Sequence, residues 1–202
     1  MKFYAIYLAL LLIAIFIFQQ FINGFTDLLI LNKNSFSELW RFLTSMFLHG
    51  SLAHLLSNLF ALLFFGIILE KKIGSNKFLG IYLISGILAN LIAVNFYPES
   101  LGASGAIMGI IGTLAIIAPG MAVWAFGMLL PMAIAAIIRI AIDFIGVFIP
   151  DNIGHIAHLS GILFGIIFGI ILRANYQKIN KKHKIQVPEH LLRRWETLYM
   201  GN

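Results

Sequence analysis

The sequence predicts an all-α, polytopic membrane protein of six transmembrane helices. Three observations lead there. The 202 residues are 60% hydrophobic and only 11% charged, with a mean hydropathy of +0.95, whereas a soluble domain is nearer half apolar and a quarter charged. That deficit excludes an ordinary water-soluble globule and a disordered chain. The apolar residues also gather into long runs separated by Pro, Gly, Asn and short charged patches, and a run of roughly 20 residues crosses about 30 Å of hydrocarbon. Finally, the net charge of +6 is carried in patches between those runs and in the last thirty residues. No continuous basic, aromatic-interleaved face is left, so no nucleic-acid partner is expected, and anionic membrane lipid is the expected counter-surface. Cysteine is absent, which excludes a disulfide framework, a thiolate zinc site and a cysteine nucleophile.

Residues 3–22 form the first run. It is too long for a signal peptide and lacks a small-residue cleavage site, so it is expected as a helix of the mature fold. Residues 23–48 mix polar side chains with Phe25, Leu28, Leu29 and Phe36 and read as a long, partly ordered loop. The second run, 49–69, ends at Glu70-Lys71-Lys72, and the third, 78–95, ends before Pro98. The fourth, 104–118, stops at Pro119-Gly120; the fifth covers 121–142 and the sixth 152–172. Residues 1–172 are therefore one membrane domain, and 173–202 a basic tail with a short amphipathic helix expected around 191–199. An even number of crossings puts both termini on one side. That side collects Lys2, Lys71, Lys72, Lys77, Arg173, Lys178, Lys181, Lys182 and Lys184, against Lys33, Arg41 and Arg139 opposite. The positive-inside rule makes the first side cytoplasmic. The location expected is the cell membrane.

Polar groups inside hydrocarbon are costly and tend to face a cavity. Here they are His49, His54 and Asn58 in the second run, Ser104 opening the fourth, and His155 and His158 in the sixth. Arg139 and Asp143, four apart at the outer end of the fifth, read most simply as a structural ion pair. Glu70, at the inner end of the second, is placed to reach water or the basic loop. At 1.5 Å per residue His54 and His158 each lie roughly 8 Å below the outer surface. The fourth run is only about 22 Å long, too short to span, so Ser104 is sunk to the same level. Irregular backbone at that depth, here 99–103, is tolerated only beside protein or a wet cavity. A water-filled pit opening outward follows.

Glycines set the neighbours. Gly105 and Gly109 form a G-x-x-x-G, with Gly112 one turn on, and Gly161, Gly165 and Gly169 recur at the same spacing behind His158. Small residues let membrane helices approach closely, and packing these faces brings His158 beside Ser104. His54 and Asn58 share one helix face and can point into the same pit. A serine hydroxyl needs an adjacent base, and neutral imidazole suits that task. The Ser104 N–H, at a helix start, can face a developing oxyanion, with His54 and Asn58 as further donors. No carboxylate is expected at this level, so the arrangement reads as a two-residue dyad, and the reaction class as acyl transfer from a peptide bond to water.

At this point the residues resemble a rhomboid intramembrane serine protease. The matching pieces are Gly102-Ala103-Ser104-Gly105, His54-x-x-x-Asn58, Trp40-Arg41 in the long loop, Glu70, and His158-x-x-Gly161-x-x-x-Gly165, in order over about residues 36–172. The resemblance implies Ser104 as nucleophile and His158 as general base and acid. It implies an oxyanion hole of His54, Asn58 and the Ser104 N–H. Gly102 joins Gly105, Gly109, Gly161 and Gly165 as a packing glycine, and Trp40, Arg41 and Glu70 are structural. The fifth helix would act as a substrate gate. No metal or organic cofactor is implied, and the partners would be single-pass transmembrane proteins. Met108 departs from the pattern, since many members carry an aromatic residue there, stacked on the histidine.

Competing readings attach to each residue. Ser104 could be a packing serine bonding a carbonyl one turn back, and His54 and Asn58 could be interhelical glue. His155 and His158 could ligate a metal, although no H-E-x-x-H is present. His155 is also a second candidate base, but only His158 has glycine at +3 and +7. The alternative for the whole chain is a non-catalytic rhomboid-like protein that binds client helices. A transporter is disfavoured by the lack of paired carboxylates and of an inverted repeat.

Overall fold

A computed structural model describes residues 2–182 and 189–199. The long helices are α1 (Tyr4–Phe21), α2 (Leu52–Ile73), α3 (Ser75–Ala93), α4 (Ser104–Ile117), α5 (Met132–Gly146), α6 (His155–Lys182) and α7 (Glu189–Tyr199). Four of them are long and apolar enough to cross a membrane: α1, α2, α3 and the His155–Arg173 part of α6. Exposed Tyr7, Leu10, Phe18 and Phe21 on α1, and Ile137, Phe144 and Ile145 on α5, make an apolar outer surface, as a protein with lipid for solvent requires.

α4 is the centre. Its residues from Gly105 to Leu114 are all buried, and α3 and α6 pack against it. A Cβ on Gly161 would run into the carbonyl oxygen of Gly105, and one on Gly165 into that of Gly109. The two backbones therefore touch, and only glycine permits it. Thr113 Oγ1 reinforces the contact, donating to the Gly109 carbonyl at 2.8 Å and across to the Gly165 carbonyl at 3.0 Å.

Several elements depart from the sequence reading. α2 starts at Leu52, because the Ser51 side chain accepts the His54 N–H as an N-cap at 3.1 Å. His49 is left in the preceding loop. α2 also widens into one π-turn at Leu62–Gly66. Residues 121–131, read as the opening of a fifth helix, instead form an antiparallel hairpin of β3 (Ala122–Ala125) and β4 (Met128–Pro131). Its two-residue turn puts Phe126 at φ 54° and Gly127 at φ 78°, the positive pair that a tight hairpin favours. Pro131 then precedes α5, where its missing N–H costs nothing. α6 continues past Arg173 to Lys182, so the first part of the expected tail is helix; residues 183–188 and 200–202 lie outside the described ones.

Glu70 is the other correction. Its carboxylate is 0% exposed and accepts the N–H groups of Tyr4 at 2.8 Å and Ala5 at 3.0 Å. It caps the positive end of α1 rather than reaching water or the basic loop. The loop before α2 holds short helical turns at Phe25–Leu29 and Arg41–Thr44. Strand β1 (Leu31–Asn32) pairs antiparallel with β2 (Glu99–Ser100), Leu31 opposite Ser100. That bridge ties the long loop to the segment leading into Ser104.

Candidate active site

A cavity of about 1040 Å³ opens where the first turns of α4 and α6 meet α2 and α5, and Ser104, His54, Asn58, Met108, Arg139 and His158 line it. Ser104 is the first residue of α4, so its N–H belongs to the helix-terminal donors that have no partner within the helix. The chain enters through Gly102, at φ 125°, a conformation L side chains avoid. The Gly102 N–H donates to the Ser45 carbonyl at 2.9 Å, which anchors the approach. A Cβ at Gly102 would lie 2.8 Å from His54 Nε2 and 3.9 Å from Ser104 Oγ. The imidazole and the hydroxyl thus flank one glycine, and this is the close approach Gly102 serves.

His54 packs edge-on against the buried His49 ring, centroids 5.0 Å apart. Gln19 holds the His49 backbone, accepting its N–H at 2.9 Å and donating to its carbonyl at 3.3 Å. Both His49 ring nitrogens are buried and have no hydrogen-bond partner among the described residues. Asn58 is buried and donates from Nδ2 to the His54 carbonyl at 3.0 Å, which uses one of its two N–H bonds. Arg41 donates to the Asp27 and Ile30 carbonyls at 2.7 and 2.9 Å and pairs with Glu38. Trp40 is half-exposed and reaches the Leu28 carbonyl only at 3.5 Å.

The expectation that no carboxylate lies beside the base is overturned. Asp143 is 0% exposed, and its Oδ1 lies 2.9 Å from His158 Nδ1 and 2.8 Å from His155 Nδ1. Arg139 grips the same carboxylate bidentately, both distances 2.7 Å, and its Nη2 lies 2.8 Å from His158 Nδ1. The Arg139–Asp143 pair exists, but it is the hub of a network joining α5 to α6. His155 spends its second nitrogen on Asp151, 3.1 Å from Oδ2. That ring holds the Asp151 carboxyl below the usual carboxylate range. His155 is therefore held on both sides, while His158 engages through Nδ1. Among the described residues none hydrogen-bonds the Ser104 hydroxyl; it and His158 line the same cavity without a direct bond.

Sequence reasoning missed Asp143 and Arg139 as parts of the site. The available signal was an ionisable pair within an apolar run, which is by default a candidate for a functional site. Asp143, His155 and His158 also offer three ligand atoms within 4.8 Å of one another, a set that could hold a metal ion. Arg139 argues against that use. Its guanidinium cannot be deprotonated, and it stands against two of the three ligand atoms, where a cation would have to bind.

A Rhomboid domain model matches residues 37–175 of the chain. The chain is 31% identical over 150 residues to RHOMBOID-like protein 4 of Arabidopsis thaliana, covering 72% of this chain and 38% of that protein. It is 40% identical over 129 residues to Rhomboid protease GluP of Bacillus subtilis (strain 168), covering 63% and 25%. It is also 42% identical over 79 residues to Inactive RHOMBOID-like protein 8 of Arabidopsis thaliana, covering 38% and 22%. The chain spans less than half the length of these curated relatives.

Proposed function

Because the chain belongs to the rhomboid family, we propose that it is an intramembrane serine endopeptidase that hydrolyses peptide bonds in or near the transmembrane segments of single-pass membrane proteins. The observation that carries this reading is Ser104 at the mouth of α4, in one cavity with His158, His54 and Asn58. Ser104 Oγ attacks the scissile carbonyl as His158 takes its proton. The Ser104 N–H, His54 and the free N–H of Asn58 receive the oxyanion; one such donor is typically worth about 100- to 1000-fold in rate. His158 then returns the proton to the leaving amine, and water repeats the sequence on the acyl-enzyme. A helical substrate hides its carbonyls in its own hydrogen bonds, so small or helix-breaking residues favour cleavage.

In this reading α4 and α5 complete a bundle of six membrane segments in the cell membrane. Both termini are cytoplasmic, and the cavity opens to the other side. Met108 packs where an aromatic ring is usual in the family and leaves the imidazole less rigidly held. A fluorophosphonate should label detergent-solubilised protein at Ser104, and Ser104→Ala should abolish both labelling and cleavage of single-pass substrates in liposomes. His158→Ala should silence cleavage and His155→Ala should leave a measurable rate. Well-folded protein that never labels would favour a client-binding role instead, the alternative that one relative named inactive keeps open.

A further inference from the structure

His158 Nδ1 faces two groups with opposite demands. The Asp143 carboxylate at 2.9 Å can only accept, so it needs a hydrogen on Nδ1. The Arg139 guanidinium at 2.8 Å can only donate, so it needs Nδ1 bare. A neutral imidazole carries one hydrogen, and the choice made at Nδ1 fixes Nε2. With hydrogen on Nδ1, Nε2 is a free base; with Nδ1 bare, Nε2 holds the hydrogen and cannot take another from Ser104. Nothing else among the described residues hydrogen-bonds the His158 ring, so the contest on α5 decides the tautomer.

We propose that Asp143 is a positioning residue for the hydrolysis, holding His158 in the tautomer with hydrogen on Nδ1 against the opposing pull of Arg139. The geometry favours Asp143 because Arg139 keeps both of its 2.7 Å bonds to that carboxylate when Nδ1 carries the hydrogen, whereas a bare Nδ1 would set its lone pair against those of Oδ1 at 2.9 Å. His155 steadies the same oxygen from the head of α6 at 2.8 Å. When the Ser104 Oγ–H bond breaks, its proton forms the new Nε2–H bond. The imidazolium so produced lies against a carboxylate, which stabilises it. The proton leaves on the departing amine, and the starting tautomer is restored. This role rests on the serine-hydrolase reading.

The test reads tautomer and turnover separately. In ¹⁵N-histidine-labelled protein at about pH 8, where an ordinary imidazole is neutral, the His158 signal, identified by its loss in His158→Gln, should show Nδ1–H and a bare Nε2. In Asp143→Leu it should shift to Nε2–H, with kcat down about 100-fold or more and KM nearly unchanged. The double variant Asp143→Leu/Arg139→Met, with no polar group left to face Nδ1, should recover at least about tenfold of that kcat. A structural ion pair also predicts that the double variant regains stability and, with it, activity, but it predicts no change of tautomer in either variant. Wild-type His158 with its hydrogen on Nε2 would overturn the proposal, as would an Asp143→Leu variant of unaltered tautomer and kcat. If Asp143→Leu does not fold, the wild-type tautomer and the double variant decide. Fluorophosphonate labelling of Ser104 stands apart from these readouts. Its absence, with Nδ1–H in place, sinks the hydrolase premise and the proposal with it; its presence, with Nε2–H, sinks the Asp143 role alone.

Discussion

A hydrogen in place of a side chain decides how close the cavity's walls can come. Gly161 meets the carbonyl oxygen of Gly105, one residue beyond Ser104. Gly161→Ala must push α6 off α4, because backbone cannot yield as a side-chain tip can. Overpacking of this kind typically costs about 1–3 kcal/mol, and it also carries His158 away from Ser104. A lower thermal midpoint in detergent and a fall in kcat should appear together; unchanged stability would show that the helices have slack. The glycine spacing was legible in the sequence because it repeats every four residues on one face. Asp143 was not, because Arg139 four residues earlier supplies a sufficient local explanation for it. Only the fold reveals that His155 and His158 converge on the same oxygen.

Among the elements, α1 depends on a residue far from it in the chain. Glu70, in the last turn of α2, accepts the first two backbone donors of α1. Removing a cap costs about 0.5–2 kcal/mol, and here it would leave the buried Ala5 N–H and the half-buried Tyr4 N–H without that acceptor. Glu70→Ala should therefore destabilise more than Glu70→Gln, which keeps an acceptor. The comparison is made by thermal unfolding, and equal losses would mean the cap contributes little. The sequence offers no sign of this pairing, since a Glu beside Lys71 and Lys72 looks like a solvated helix end. The hairpin at 122–131 was hidden for a different reason. Its residues are apolar on both faces, so neither a 3.6-residue nor a 2-residue period stands out. The positive φ at Phe126, which local preference would not select, is part of what turns the chain. The apolar runs and the start of α4 were readable because length and breakers alone define them.

At the scale of the whole molecule, the absence of cysteine makes topology directly measurable. Single Lys72→Cys and Phe148→Cys substitutions should be reached by a membrane-impermeant maleimide from opposite sides in intact cells, with Phe148→Cys labelled from outside and Lys72→Cys only after lysis. The reverse pattern would invert the assigned orientation. The tether between α5 and α6 has one more effect. Asp143 rides on α5, whereas the ring it steadies rides on α6. Swinging α5 aside to admit a polypeptide would slacken the grip on that ring in the same motion. On the proposed reading entry and readiness would then compete: the cavity would be widest when its proton acceptor is least well aimed, and would regain its aim only as the door shuts behind the polypeptide.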